Sequence, residues 1–297
     1  MARLSEKYIA GFLDADGCIG TDARTGRNIS LSLSFSQKTS QDKVLYLIQD
    51  ALEGGNVITI IVNGVSYSKY QLYGQKAVQV LNRIAQHLVI KRHYAYACLG
   101  LVGKRVDDEK AMREYLKEQR RVKSLPLPNF PTRKWLAGYF DGDGCLSVAK
   151  VDPVSGLAQI VAHIACANFD TAGIEILFKA FGGRTHDMAE GRCKQWILSL
   201  QPSKAEEFLG YFAKHLVTKK DQAYFVLSCA AMKHYRDGNN IKAALKQLKT
   251  REHRLNEGSV DISDLLAEVR DLPKYARSID SYLPKAKRSI QAIVEPA

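Results

Sequence analysis

The sequence predicts an α+β fold in which two pseudo-symmetric domains each form an αββαββα unit with a four-stranded antiparallel sheet. A nine-residue phrase occurs twice in the 297-residue chain, as IAGFLDADG at 9–17 and LAGYFDGDG at 136–144. The same order of helical and strand patterns follows both copies, and the phrases HLVIK and HLVTK recur at 87–91 and 215–219. We interpret this as an internal duplication, with domains at 1–117 and 132–238, a linker at 118–131 and an extension of unknown role at 239–297.

Each nine-residue phrase predicts the end of a helix. Gly11 and Gly138 fall inside that helix, where glycine costs about 1 kcal/mol relative to alanine, so we expect close backbone contact there. Carboxylates at a helix C-terminus are repelled by roughly 0.3 to 1 kcal/mol each, so a cation should lie at that end. Gly17 and Gly144 are expected to end the helices in the left-handed conformation.

The elements of the first half follow from periodicity and turn residues. Apolar residues alternate along 28–36, which predicts a strand with one buried and one polar face, and residues 22–27 are expected to form the strand before it and its turn. Asn63-Gly64 predicts a hairpin. The remaining predicted elements are a helix around residues 45–52 that ends at Gly54-Gly55, hairpin strands at 57–62 and 65–73, and helices at 76–87 and 91–118.

The second half repeats this order. The predicted elements are strands at 145–151 and 158–167, a helix at 171–181, two further strands, and helices at 203–216 and 219–236. Between the halves, residues 117–131 are basic and contain three prolines, which should prevent a continuous helix. Beyond residue 240 we expect a basic helical stretch to about residue 257, for which the sequence suggests only a packing role.

Composition limits the class of protein without identifying it. The chain has 43 Lys and Arg against 31 Asp and Glu, a formal charge of +12, which suits a polyanionic partner but also ribosomal or membrane-surface proteins. Six cysteines occur singly, which disfavours zinc ribbons and disulfide frameworks and favours a reducing compartment. The first motif begins at Ile9, so we expect no targeting peptide and no membrane span, and synthesis in the compartment of action, either a prokaryotic cytoplasm or an organelle with its own genome.

Other hydrolytic chemistries have little support. The seven histidines form no H-N-H or H-E-x-x-H arrangement, and no serine lies in a G-x-S-x-G context. Cys18 and Cys145 follow the motif glycines at equivalent positions and are interpreted as small strand residues.

The repeated phrases resemble the motifs of the LAGLIDADG homing endonuclease family in its single-chain form, over about residues 4 to 237. The resemblance implies a monomer that cuts both strands of a long double-stranded DNA target in a Mg²⁺-dependent reaction and leaves short 3′ overhangs. The family also contains maturases that bind intron RNA, and a DNA-binding regulator without cleavage is a third alternative. Both motif acids are present, which favours the endonuclease.

The second aspartate of each motif is the candidate metal ligand. If the motif helices pack together, Asp16 and Asp143 meet at their ends, and two like charges at close range need a compensating cation. Carboxylates favour hard ions such as Mg²⁺, and we expect two or three divalent ions shared between the two aspartates. Asp14 and Asp141 are interpreted as structural. The resemblance implies that Gln37, Asn168, Lys91 and Lys219 surround the metals, with the lysines stabilising charge on the phosphate.

The polar faces of the two sheets are the candidate DNA-reading surface, since the major groove distinguishes all four base pairs. For any one of these residues a solvated sheet face is an equally acceptable interpretation. In the first half this surface comprises Arg24, Asn28, Ser30, Ser32, Ser34, Ser36, Lys38, Tyr67, Lys69 and Gln71. In the second half it comprises Gln159, Val161, His163, Ala165, Ala167 and Gln195, a less polar row that predicts an asymmetric target.

Overall fold

The computed structural model describes residues 3–122, 132–166, 172–187, 194–199, 204–231 and 236–250. Within these ranges both halves have the predicted αββαββα order, followed by further helices, so the predicted fold class is confirmed. Among the described residues, no helix combines the length and the apolar character needed to cross a bilayer.

The first half begins with the motif helix, which runs directly into the first strand. Ser5 caps this helix by accepting a hydrogen bond from the backbone N–H of Tyr8. Asn63 and Gly64 have φ values of 50° and 77°, as the predicted hairpin turn requires. The elements are α1 (Glu6–Asp16), β1 (Gly17–Asp22), β2 (Ser30–Lys38), α2 (Lys43–Leu52), β3 (Asn56–Val62), β4 (Val65–Tyr73), α3 (Gly74–Ile84), α4 (Arg92–Leu101) and α5 (Glu109–Arg121).

The second half repeats this order of helices and strands, with α10 following α9 as α5 follows α4. Thr132 caps its motif helix as Ser5 caps α1, by accepting from the backbone N–H of Trp135. The elements are α6 (Arg133–Asp143), β5 (Gly144–Val151), β6 (Ala158–Cys166), α7 (Ala172–Phe181), β7 (Arg184–Asp187), β8 (Lys194–Ser199), α8 (Lys204–Phe212), α9 (Lys220–Ala231) and α10 (Gly238–Thr250).

The two sheets share one topology, with strand orders β1-β2-β4-β3 and β5-β6-β8-β7. In the first sheet, Leu33 and Phe35 are fully buried, whereas Ser34 and Ser36 lie on the opposite, partly exposed face. Side chains of paired residues in antiparallel strands point to the same face. The helices therefore cover one face of this sheet and leave a polar face open.

The motif helices α1 and α6 pack through their glycines. A Cβ atom placed on Gly11 would lie 1.9 Å from the carbonyl oxygen of Trp135, and one placed on Gly138 would lie 2.0 Å from that of Tyr8. Because any side chain at either position would collide with the backbone of the other helix, the predicted close contact is confirmed. The two contacts are equivalent, as a pseudo-two-fold axis between the helices requires.

The structure corrects the expected conformation of the motif glycines. Gly17 and Gly144 have φ values of −89° and −79° and are extended, because each helix passes straight into a strand. A Cβ on Gly17 would lie 2.3 Å from the side chain of Leu13, so lack of space, and not a left-handed turn, requires glycine there. Because the helix passes straight into the strand, β1 occupies Gly17–Asp22 and lies earlier in the chain than predicted. The turn expected within 22–27 is present, with Gly26 at a φ of 78°.

The predicted helix at 91–118 is two helices, α4 and α5, separated by residues 102–108. Gly103 has a φ of 77°, and the backbone of Arg105 bridges to Asn28, so this segment runs beside the turn between β1 and β2. α5 continues to Arg121, four residues into the predicted linker. Two arginines in its last turn complement the helix dipole, and the prolines come only later in the chain. Residues 123–131 lie outside the described ranges.

The part of the predicted extension that is described, α10, belongs to the folded second half. It packs against β5, β6 and α9, and Ile241, Leu245 and Leu248 are at most 3% exposed. The backbone N–H of Gly238 donates to the carbonyl of Gly156 in the turn between β5 and β6. α10 therefore contributes to the core, and residues 251–297 lie outside the described part of the chain.

Candidate active site

The inner aspartate of the first motif, Asp14, connects the two halves. It is 2% exposed and accepts hydrogen bonds from the backbone N–H groups of Val89 (2.7 Å) and Lys91 (2.8 Å) in its own half. It also accepts from the indole N–H of Trp135, at 2.9 Å, in the other half. A hydrogen bond to a charged group contributes about 1.5–3 kcal/mol, so Asp14 is a structural residue, as predicted.

Asp141 makes the equivalent contacts in the second motif. It is fully buried and accepts from the backbone N–H groups of Val217 (2.7 Å) and Lys219 (2.8 Å). The hydroxyl of Tyr8 donates to it from the other half at 2.6 Å. Tyr8 and Trp135 occupy matching positions in α1 and α6, so each motif helix supplies an acid to the other and receives an aromatic donor in return.

Lys91 and Lys219 provide the cations expected at the ends of the motif helices. The Lys91 ammonium donates to the carbonyls of Leu13 (2.7 Å), Ala15 (3.1 Å) and Gly17 (2.9 Å). Burial lowers the pKa of Lys91, and the nearby aspartates oppose that shift. An ammonium has three N–H donors, and all three are directed at the helix end. In this structure the lysine therefore neutralises the helix C-terminus.

Lys219 repeats this arrangement with the carbonyls of Phe140, Asp141 and Gly142, the first and last at 3.0 Å. Burial likewise lowers the pKa of its amino group, against the effect of Asp141 and Asp16. The two lysines thus place positive charge at the helix ends that carry the outer aspartates.

The outer aspartates, Asp16 and Asp143, lie side by side at the ends of α1 and α6. A Cβ on Gly142, the residue before Asp143, would lie 2.4 Å from the Cβ of Ala15 and 3.5 Å from the carboxyl carbon of Asp16. Burial and the charge of Asp16 together raise the pKa of Asp143 to about 7. The predicted meeting of these two carboxyl groups therefore agrees with the geometry of the helix ends.

Gln37 is the one predicted neighbour of the metal site that contacts an outer aspartate in the described structure. It lies near the end of β2, the strand that pairs with β1, and β1 directly follows α1. Its side-chain amide donates to the Asp16 carboxylate. Asn168, its proposed counterpart, lies outside the described residues. The roles assigned to these residues in catalysis remain predictions.

Comparison with known proteins identifies the fold. No family model matches the sequence, and no curated protein matches it either. Among solved structures, the LAGLIDADG meganuclease I-AabMI bound to uncleaved DNA aligns with a TM-score of 0.60 at 16% identity, over 84% of this chain and 100% of that one. Meganuclease I-SmaMI bound to uncleavable DNA gives 0.61 at 18% identity, over 85% and 99%. The homing endonuclease I-GzeII in complex with its DNA target gives 0.55 at 12% identity, over 92% and 100%. The chain has the LAGLIDADG homing endonuclease fold.

In this LAGLIDADG fold the open face of the first sheet carries most of the predicted DNA-reading row. Ser34 pairs with Gln71, Ser36 with Lys69 and Lys38 with Tyr67, so these six side chains share one face. Ser30 and Ser32 continue the row along β2. The sequence did not single out Ile58, which is 42% exposed and pairs with Lys69.

Two residues of the predicted row lie beyond the regular strands. Asn28 precedes β2 and is held by its bridge to Arg105. Arg24 follows β1 and forms an exposed ion pair with Asp22. Both lie at the outer end of the β1–β2 hairpin, so neither is part of the continuous polar face.

The equivalent face of the second sheet is more enclosed. Gln159 is exposed. Val161 is only 3% exposed, although its side chain is on the face of β6 opposite to that of the buried Ile160 and Ala162. His163 contacts the hydroxyl of Ser147 at 2.8 Å and Gln195 at 3.5 Å, and both burial and Lys249 of α10 lower its pKa. Ala167 lies outside the described residues, as Asn168 does.

The sequence interpretation missed the contribution of α5. Its residues Lys117, Arg120 and Arg121 line a cleft that also includes Asp16. The sequence of α5 alternates acids and bases and resembles a solvated helix, so only the tertiary structure shows that its C-terminal end reaches the motif.

Proposed function

We propose that this protein is a site-specific endonuclease that cuts both strands of a long, asymmetric double-stranded DNA target by Mg²⁺-dependent phosphodiester hydrolysis, leaving short 3′ overhangs. The observation that carries this proposal is the pair of outer aspartates brought together at the ends of two tightly packed helices. The resemblance of the fold to I-AabMI, I-SmaMI and I-GzeII, each crystallised with DNA, supports it.

The residues at this centre fit a divalent ion that also uses substrate oxygens. Asp16 and Asp143 offer hard carboxylate oxygens. Burial and the charge of Asp16 raise the pKa of Asp143, and a bound cation would offset both effects. No group of three or more His, Cys, Asp or Glu residues that could enclose a metal occurs among the described residues. Mg²⁺ is commonly held by one or two carboxylates, with waters and phosphate oxygens completing its coordination. Bound there, the ion would activate water and stabilise the charge of the departing oxygen.

The protein's own side chains would keep the two carboxylates in position. Gln37 orients Asp16 through its amide, while Asp14 and Asp141 fix the relative position of the two helices. Lys91 and Lys219 cancel the negative ends of those helices and so lower the cost of placing two acids there. Their positive charge would also favour the charge that develops on a scissile phosphate bound at the outer aspartates.

Sequence would be read mainly by the first sheet. Its open face presents serines, Lys69, Gln71 and Tyr67, which can donate to and accept from base edges in the major groove. Within its described residues the second sheet presents fewer polar groups on this face, so the two halves of the target should differ. The protein would act as a monomer, since both motifs are in one chain.

Selection of cleaved sites from a randomised DNA library tests this proposal and supplies a substrate. With that substrate, Asp16→Asn and Asp143→Asn should each abolish cleavage while retaining binding, because each removes metal-binding charge without changing side-chain shape. Asp107→Asn, at an exposed aspartate between α4 and α5, is the matched control and should cut normally.

Three results would overturn the proposal. The first is that the wild-type protein selects no cleaved DNA in the presence of Mg²⁺. The second is that both Asn variants cut normally. A wild-type protein that binds intron RNA and never cuts DNA would favour the maturase alternative.

A further inference from the structure

A cleft of about 550 Å³ opens beside Asp16, between the C-terminal end of α5 and the junction of α1 with β1. Its lining includes Asp16, Cys18 and Lys91. Lys117, Arg120 and Arg121 of α5 also line it. Cys18 pairs with Ser34 in the polar row of the first sheet, so the cleft adjoins the face proposed to bind DNA.

Contacts from α4 hold the end of α5 in place. The ring nitrogen Nε2 of His93 lies 2.8 Å from Oε1 of Gln119. The guanidinium carbon of Arg120 lies 4.9 Å from the centre of the Tyr94 ring, and Tyr94 is only 7% exposed. A cation held over an aromatic face loses little further freedom when it binds a ligand. Arg120 is therefore positioned before any partner arrives.

The charges around the cleft are strongly unbalanced. Four of the residues named above are cationic, and Asp16 is the single acid among them. The Lys91 ammonium is directed at three carbonyls of α1 and β1, and Lys117 forms an exposed ion pair with Glu114 at 3.3 Å. The two arginines are in the last turn of α5, where positive charge interacts favourably with the helix dipole. That interaction explains arginines at a helix end, but it does not explain why this helix end lies next to Asp16. The location of the two arginines indicates an anionic ligand at this place.

We propose that Arg120 and Arg121 bind a backbone phosphate of the DNA strand that passes Asp16, next to the phosphate that is cut. This inference rests on the proposed endonuclease function. The planar guanidinium presents paired N–H donors that match phosphate oxygens, which a lysine ammonium cannot reproduce. The contact would set the position of one strand along the cleft and leave base recognition to the sheets.

The two strands would then be held by different means. In the second half, α10 also reaches the residue after the motif glycine, where the ammonium of Lys249 lies 3.3 Å from the Cys145 sulfur. The side chain of Gln41, from the first half, donates to the Lys249 carbonyl at 3.2 Å. Beside Cys145, α10 thus presents one lysine, whereas α5 presents two arginines at the cleft that includes Cys18. Loss of the arginines should therefore affect one strand only.

The test is strand-resolved cleavage by Arg120→Gln/Arg121→Gln, with each strand of the selected target labelled separately. We expect nicking of one strand to slow by roughly tenfold or more while the other changes less than about twofold, in line with loss of charge-assisted hydrogen bonds to one phosphate. The slope of log binding constant against log salt should fall in magnitude by about 1. Arg120→Lys/Arg121→Lys should restore the salt slope but not the full rate.

Single methylphosphonate substitutions then locate the phosphate. One neutral linkage should slow the wild-type protein and have no added effect on the Gln variant, whereas other linkages should slow both alike. Arg113→Gln is the matched control, because Arg113 lies on the same helix and pairs with Glu109. Equal slowing of both strands by the Gln variant, with an unchanged salt slope and an unchanged unfolding temperature, would overturn the inference.

These outcomes separate the two proposals. If the wild-type protein binds DNA without cutting it, the endonuclease proposal fails, and the salt slope and methylphosphonate effects on binding still decide the role of the arginines. If the wild-type protein cuts both strands and the Gln variant behaves like Arg113→Gln, only the arginine inference fails.

Discussion

Replacement of Gly11 by alanine should both destabilise the protein and slow cleavage. The added Cβ would lie 1.9 Å from the Trp135 carbonyl oxygen, against 3.4 Å for ordinary contact, so the helices must separate by about 1.5 Å. Overpacking of this kind costs about 1–3 kcal/mol, and a backbone obstacle in a rigid helix favours the upper end. The higher helix propensity of alanine returns at most about 1 kcal/mol, which leaves a net loss of about 2 kcal/mol.

The same movement would displace Asp16 from Asp143. A misplacement of about 1 Å at a catalytic centre can cost roughly 100-fold in rate, so Gly11→Ala should cut at least that much more slowly even at temperatures where it is fully folded. Urea denaturation measures the first effect and single-turnover cleavage the second. Gly138→Ala should behave in the same way, since its Cβ would lie 2.0 Å from the Tyr8 carbonyl oxygen.

Gly100 provides the matched control for this substitution. It lies in α4, and a Cβ there would meet no atom within 4 Å apart from its chain neighbours and the backbone of its own helix. Gly100→Ala should therefore stabilise the protein by up to about 1 kcal/mol and leave cleavage unchanged. If Gly11→Ala were as stable and active as Gly100→Ala, the close approach of α1 and α6 would not be what positions the aspartates.

Three further predictions concern stability, pH and recognition. Asp14→Asn should lower the free energy of unfolding by about 2–3 kcal/mol in urea, because the amide presents N–H groups to buried donors; a loss below about 0.5 kcal/mol would contradict the structural role. Burial lowers the pKa of His215 in the folded protein to about 4, so as pH falls the imidazole is protonated in the unfolded chain before it is protonated in the folded protein. Stability should therefore decline as pH falls from about 6.5 to about 4. His215→Gln should flatten that part of the stability profile, and an unchanged slope would refute the assignment. Lys69→Ala should relax the base preference at one or two adjacent positions by about 1–3 kcal/mol each in a site selection, without changing stability, whereas a uniform loss at all positions would indicate a phosphate contact instead.

The features that the sequence predicted well depend on local pattern or on duplication. The alternation along β2 fixed which serines face outward, and the repeated phrase placed Asp16 and Asp143 at equivalent helix ends. The shorter repeat that ends in Lys91 and Lys219 had no explanation from local structure. The contacts supply one, since its backbone N–H groups bind the inner aspartates and its lysines cap the motif helices.

The errors arose where tertiary contacts override a local preference. Gly17 has the residue type of a left-handed helix end, yet the chain enters a strand there and the glycine is needed for space. The break after α4 had a local signal in Gly103, but the periodicity on both sides of it remained helical. Nothing in the charges of α5 indicated that Arg120 stacks on Tyr94 beside Asp16, because that contact depends on how α4 and α5 pack.

The spacing of the two acids in each motif explains how one phrase can serve both structure and chemistry. Residues two apart on a helix point to different sides, so Asp14 and Asp16 cannot share an environment. Asp14 points into the protein and is bound from both halves, and it fixes the helix end from which Asp16 projects. The unfavourable pairing of Asp16 with Asp143 is therefore imposed by the contacts of the inner aspartates, Asp14 and Asp141. Two acids held together in this way are tolerated only because the other contacts of the motif offset their repulsion. Local strain of this kind, offset by the surrounding structure, is what we expect at a functional site.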